Sequence, residues 1–168
     1  MKNETKAQKE LYDLYSRKMY GVCKGYSNSR EDTNDIMQEA FLKVFRSLNK
    51  YDNKGSIGGW IRRIFVNTAI DFYRQSEREI EVISIDPEVE ENVFVAQESY
   101  SNIDYEHFIT LMQQLPEKAR LVFNLFNIEG YSHKEIAVKM GISEGTSKSQ
   151  YSRARQLLKI AIVNQGML

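Results

Sequence analysis

The sequence predicts an all-α protein: two small helical domains joined by an acidic linker, the second domain containing a helix-turn-helix. Three observations predict it. Apolar residues recur at helical spacing through two long stretches. The 168 residues include only two prolines and no long low-complexity tract. The charge, which sums to zero, is laid out in blocks. Residues 1–78 hold 15 Lys/Arg against 10 Asp/Glu, residues 79–105 hold none against eight, and residues 106–168 hold eight against five. Two basic blocks flanking an acidic segment point to separate contacts with a polyanion; two ordinary domains with an acidic linker are the alternative.

In the first block, Leu11, Leu14, Tyr15, Met19 and Val22 form a helical apolar stripe. Gly25–Arg30 reads as a turn. Glu31, Asp32 and Asp35 crowd the start of a second helix, roughly Asn34–Asn49, where acids complement the helix dipole. Its stripe is Ile36, Ala40, Val44 and Leu48, and Phe41 and Phe45 widen the apolar surface beyond one core face. Tyr51–Gly59 (YDNKGSIGG) is a Gly-rich polar loop. A third helix follows, from Trp60 to about Ser76, with Ile61, Ile64, Phe65, Thr68 and Phe72 inward. Arg62, Arg63, Asn67 and Arg74 form a basic surface beside Trp60 and Tyr51. Aromatic and basic groups together suit unstacked bases, although core aromatics with a solvated edge explain them equally well.

Residues 79–105 lack helical period and read as an extended linker, with one strand-like piece in EIEVISI. Helical signal returns at Glu106, with Phe108, Leu111, Met112 and Leu115 on one helix. Pro116 begins the next, in the first turn, where its missing amide is harmless. Val122, Phe123 and Phe126 pack there, and Gly130 ends it.

Tyr131–Lys159 is the most informative stretch. Ser132 and Glu135 form a capping box, Ile136, Ala137 and Met140 repeat on one face, and Gly141 stops the helix. Ser143 caps a second helix with Tyr151, Ala154, Leu157 and Leu158 inward and Lys148, Ser149, Ser152 and Arg153 outward. A short helix, a Gly-centred turn and a longer polar-faced helix make a helix-turn-helix, whose second helix enters the major groove. A helical hairpin with a solvated basic face is the competing reading.

Other chemistries are poorly supported. There is no phosphate-binding glycine pattern. His107, His133 and Cys23 stand apart, so neither a metal centre, a disulfide framework nor a cofactor is expected. No apolar run approaches the length of a membrane span, and the polar start lacks a signal-peptide core, so the expectation is a cytoplasmic, non-enzymatic protein without membrane insertion.

Four blocks then resemble one family, the extracytoplasmic-function (ECF) sigma factors of bacterial RNA polymerase, over about residues 8–162. They are DTNDIMQEAFLKVFRSLNKYD, WIRRIFVNTAIDFYR, LPEKARLVFNLFNIEGYSHKEIAVKMGIS and EGTSKSQYSRARQLL. The resemblance implies that residues 1–78 bind core polymerase and read and melt the minus-ten element, and that residues 106–168 read the minus-thirty-five element. It places Asp35, Gln38, Glu39, Phe41 and Phe45 on the clamp helices of the polymerase's largest subunit. It gives Tyr51, Trp60, Arg62, Arg63 and Asn67 to minus-ten DNA, with a pocket for a flipped base, and Glu144, Thr146, Lys148, Ser149, Ser152 and Arg153 to minus-thirty-five DNA. The acidic linker would lie along the polymerase's nucleic-acid path, and an anti-sigma factor would mask these faces.

The chain departs from the family pattern at Ser147 (usually small, branched and apolar), Gln150 (usually basic), Ile57 (often aromatic) and Gly58–Gly59. Ser147 is expected to loosen the recognition helix, Gln150 to remove a phosphate contact, and the glycines to make the loop more flexible. A stand-alone helix-turn-helix regulator binding duplex as a dimer is the alternative function; it would need a dimer surface that the sequence does not display.

Overall fold

A computed structural model describes residues 2–81 and 105–164, and the side chains of residues 6–78 and 107–164. The described residues are almost entirely helical, without strands. The chain divides into two compact units, residues 1–76 and 77–168. Most of the expected acidic linker, residues 82–104, lies outside the described residues; of its strand-like piece EIEVISI, the first three residues, 79–81, are helical as the end of the third helix and the rest lies outside.

In the first unit, α1 (Lys2–Lys24) packs on α2 (Arg30–Ser47), a 3-10 turn follows (Leu48–Lys50), and α3 (Ile57–Glu81) completes it. The second helix starts four residues earlier than the acidic cluster suggests. Ser29 caps it: its hydroxyl accepts the Asp32 amide at 3.0 Å, and the Asp32 carboxylate accepts the Ser29 amide at 3.1 Å. Met19, Val22, Ile36, Ala40, Val44, Ile61 and Phe65 form the core, with Val66, Ala69, Ile70 and Tyr73 buried in addition to the expected stripe. Two expectations fail. Leu14 is 73% exposed, because α1 buries the face centred on Met19 and Cys23 and turns Leu14 outward. Phe41 is 4% exposed, with its ring edge-on to Phe65 at 5.0 Å, so it belongs to the core rather than beyond it.

The glycine-rich segment is also shorter as a loop than expected. The Ser56 hydroxyl accepts the Gly59 amide at 3.1 Å, which caps α3 so that Ile57, Gly58 and Gly59 form its first turn. Gly58 lies under Tyr15 of α1: a Cβ there would come within 3.3 Å of the ring. The glycine thus permits close helix packing, and the expected flexibility does not follow from it. At the other end α3 runs five residues past Ser76, into the first residues assigned to the linker.

In the second unit α4 (Tyr105–Gln113) is followed by α5 (Glu117–Phe123), a π-helical turn (Asn124–Ile128), α6 (His133–Met140) and α7 (Glu144–Asn164). Pro116 is the cap itself rather than a first-turn residue. α5 packs along α7, and Leu111, Met112, Leu115, Ala119, Phe123, Ala154, Leu158 and Ile162 form the core. Buried among them is Arg120, 1% exposed, with Nη1 donating to the Gln113 carbonyl at the end of α4 (3.5 Å). The expected cap and stop of α6 are present: Ser132 and Glu135 close the capping box, and Gly141 adopts φ 72°, ψ 31°.

Candidate nucleic-acid and polymerase interface

On α2, Asp35, Gln38 and Glu39 are exposed and Phe45 is half-buried. Gln38, Phe41 and Phe45 line one side of a groove of about 450 Å³ between α1 and α2, closed by Tyr12, Tyr20, Asn34, Met37 and Leu42. Phe41 is its floor, held by Tyr12 (4.7 Å between ring centroids) and Phe45 (5.8 Å). Glu39 has Lys43 at 3.9 Å, and Lys43 reaches Asp71 of α3 at 3.4 Å. The apolar floor with the amides of Asn34 and Gln38 at its rim can take an apolar side chain, and the exposed carboxylates of Asp35 and Glu39 on the same helix suit basic neighbours. Leu42, 41% exposed, and the two tyrosines line it too, although none of them belongs to the apolar stripes read from sequence.

The loop between α2 and α3 is closed on itself. Tyr51 donates its hydroxyl to the Gly55 carbonyl (2.7 Å), Asp52 accepts the Lys54 amide (3.1 Å), and Asn53 and Gly55 take positive φ. The Tyr51 ring leans on Trp60 (5.5 Å between centroids). Tyr51, Trp60, Arg62 and Asn67 are half-buried and Arg63 is exposed. Thus an aromatic pair is braced at the start of α3, with Arg63 and Asn67 one and two turns further along.

On α7, Glu144, Lys148 and Arg153 are exposed and Ser149 and Ser152 are half-buried; at 100° per residue they share one side of the helix. Glu144 and Lys148 are paired at 2.7 Å, and this hydrogen bond and charge hold the Glu144 carboxyl below its usual range. Thr146 does not share that side: it is 8% exposed and its hydroxyl meets Ser143 Oγ at 2.8 Å, beside the cap bond from the Thr146 amide.

Ser147 is fully buried, and its hydroxyl lies 2.9 Å from His133 Nδ1, so the cavity-like looseness expected of a small polar residue is filled by an imidazole. His133 stacks on Phe126 (4.5 Å) and meets Tyr151 edge-on (5.6 Å). No local sequence pattern announces this contact, since the partners are fourteen residues apart across a turn. Burial first, then Lys148, pushes the imidazole below its ordinary value, against an opposing pull from Glu144. A depressed histidine is neutral in the fold and takes up a proton more readily when unfolded. This contribution to stability is therefore complete above about pH 7 and declines as pH falls through about 6.5 and below. Urea midpoints of the second unit should fall between pH 7.5 and 5.5, by less in His133→Phe; equal falls in both would show that other groups set the slope.

Two family comparisons cover these elements. Residues 11–79 match sigma-70 region 2, and residues 105–158 match sigma-70 region 4. The RNA polymerase sigma factor SigZ of Bacillus subtilis is 30% identical over 153 residues, covering 89% of this chain and 84% of that one. The ECF RNA polymerase sigma factor SigE of Mycolicibacterium smegmatis is 30% identical over 155 residues, covering 89% of this chain; the match spans 59% of that relative's length. Among solved structures, the sigma factor RpoE of Bartonella quintana, crystallised with the anti-sigma factor NepR, has a TM-score of 0.54 at 22% identity, covering 92% of this chain and 96% of that one, which supports the fold. With both sigma regions matched in order and a relative of this extent, the chain belongs to the extracytoplasmic-function (ECF) sigma factor family of bacterial RNA polymerase.

Proposed function

We propose that this chain binds core RNA polymerase in the cytoplasm, directs it to promoters and helps open the DNA strands, acting by binding alone. It is supported chiefly by the exposed Asp35, Gln38 and Glu39 of α2, of which Gln38 also lines the groove floored by Phe41. A basic helix pair such as the clamp helices of the polymerase's largest subunit would complement it, with an apolar side chain entering the groove beside Phe45. Phe41 supports the groove from beneath.

Residues 1–78 would also capture an unstacked base of the minus-ten element against Trp60 and Tyr51, with Asn67, Arg62 and Arg63 holding the base edge and backbone. Extruding a base costs a few kcal/mol, and stacking on an aromatic returns about 1–3 kcal/mol. Residues 106–168 would read the minus-thirty-five element through Lys148, Ser149, Ser152 and Arg153, with Glu144 accepting from a base amino group. Thr146 would serve the helix cap instead. The acidic segment 79–105 would follow the polymerase's nucleic-acid path. An anti-sigma partner would act by covering the groove and the α7 face.

Asp35→Lys combined with Gln38→Ala tests the docking surface. Both positions are exposed, so the variant should keep its circular dichroism spectrum and melting temperature while losing co-elution with core polymerase. Undiminished co-elution would remove α2 from the interface.

A further inference from the structure

His133 opens α6, and Ser147 lies in the first turns of α7, on the far side of the Gly141 turn. Their side chains meet at 2.9 Å, with Ser147 completely buried. Phe126 of the π-helical turn and Tyr151 of α7, 4.6 Å apart between centroids, both pack against the imidazole. Tyr151 is fixed in turn by its hydroxyl, which donates to Asn127 Oδ1 at 3.2 Å. The charged groups acting on the imidazole are Lys148 and Glu144 of α7; on its own helix the Glu135 carboxylate is bonded to Ser132, and the π-helical turn (NLFNI) carries no charge.

A small apolar residue at position 147 would pack against α6 without a preferred direction. A hydrogen bond does have one, and here it joins the first residue of the supporting helix to the buried side of the helix whose opposite side carries Lys148 and Arg153. Burial keeps the ring neutral, so Nδ1 can accept the serine proton.

We infer that the His133–Ser147 pair is a polar latch that sets the angle at which α7 is presented to duplex DNA, which makes His133 a positioning residue for recognition of the upstream promoter element. The inference rests on the reading of α7 as the duplex-reading helix. It follows that removing His133 leaves the buried Ser147 hydroxyl without its bond and removing Ser147 leaves the half-buried imidazole without its anchor, whereas replacing both by apolar groups leaves neither.

The test measures affinity of the full chain with core polymerase for a duplex carrying its upstream element, by fluorescence anisotropy, at a temperature where circular dichroism shows each variant folded. Ser147→Val and His133→Phe should each weaken binding about fivefold or more. The double variant should return to within about twofold of the parent, since no buried group is then left unpaired. His133→Gln, which keeps a hydrogen-bonding group, should retain more affinity than His133→Phe. If Ser147→Val does not fold, Ser147→Ala takes its place in the cycle. Losses that add in the double variant, or single variants that bind like the parent, would overturn the latch. Lys148→Ala and Arg153→Ala serve as reference. If these two lower affinity while the latch variants do not, the latch alone is wrong. If they bind normally as well, α7 is not the reading helix and the latch falls with it.

Discussion

Arg120→Ala is expected to destabilise the second unit by about 3 kcal/mol, among the largest effects available to a single substitution in this chain. The side chain is 1% exposed and spans from α5 to the carbonyl end of α4, where Nη1 donates to Gln113. A cation suits that end of a helix, since the last carbonyls lack intrahelical partners. Burial lowers the guanidinium's pKa and Glu117 raises it, but an arginine remains charged at any ordinary pH. Truncation removes the donor to the Gln113 carbonyl and leaves a cavity where the buried side chain stood. For a unit of this size, 3 kcal/mol corresponds to a fall of roughly 15 °C in melting temperature. Arg120→Met keeps most of the volume and should lose clearly less. Equal losses in the two variants would assign the effect to the bond and charge rather than to packing; no loss in either would contradict the burial.

Phe41→Ala is expected to destabilise the first unit by about 4 kcal/mol. The ring is enclosed by Tyr12, Phe45 and Phe65, with centroids 4.7, 5.8 and 5.0 Å away. Phe45→Ala, on the half-buried rim, should leave stability within about 1 kcal/mol while reducing association with core polymerase. Trp60 is the only tryptophan and lies in the first unit, so its fluorescence reports that unit's unfolding directly. The two variants thus separate a groove floor from a groove contact. Similar stability losses in both would mean that Phe45 is a core residue too.

The residues that defined the helix-turn-helix were legible because their signals are local. A serine three residues before a glutamate, a glycine at a helix end and apolar residues at helical spacing each act within one or two turns, and Ser132, Gly141, Ile136 and Met140 take the expected places. What failed depends on neighbours distant in sequence. Leu14 fits the stripe of α1 as well as Met19 does, and only the position of α2 and α3 decides which of the two is covered. Gly58 and Gly59 have the poor helix propensity of a loop, yet the Ser56 cap and the ring of Tyr15 draw them into a helix. Phe41 and Phe45 are alike in sequence and differ because Phe65 reaches only the first. Thr146 looks like a polar groove-facing residue until its hydroxyl is seen to close the cap with Ser143. His133 stood alone in sequence because its partner, Ser147, belongs to the next helix.

The most direct measurement is co-elution of the full chain with purified core RNA polymerase at moderate salt, set beside its binding to naked promoter duplex. The expected result is a stable stoichiometric complex with core and little binding to duplex without it. A chain that ignores core polymerase from its own host, yet binds duplex specifically by itself, would instead be a free-standing DNA-binding regulator, contrary to the function proposed.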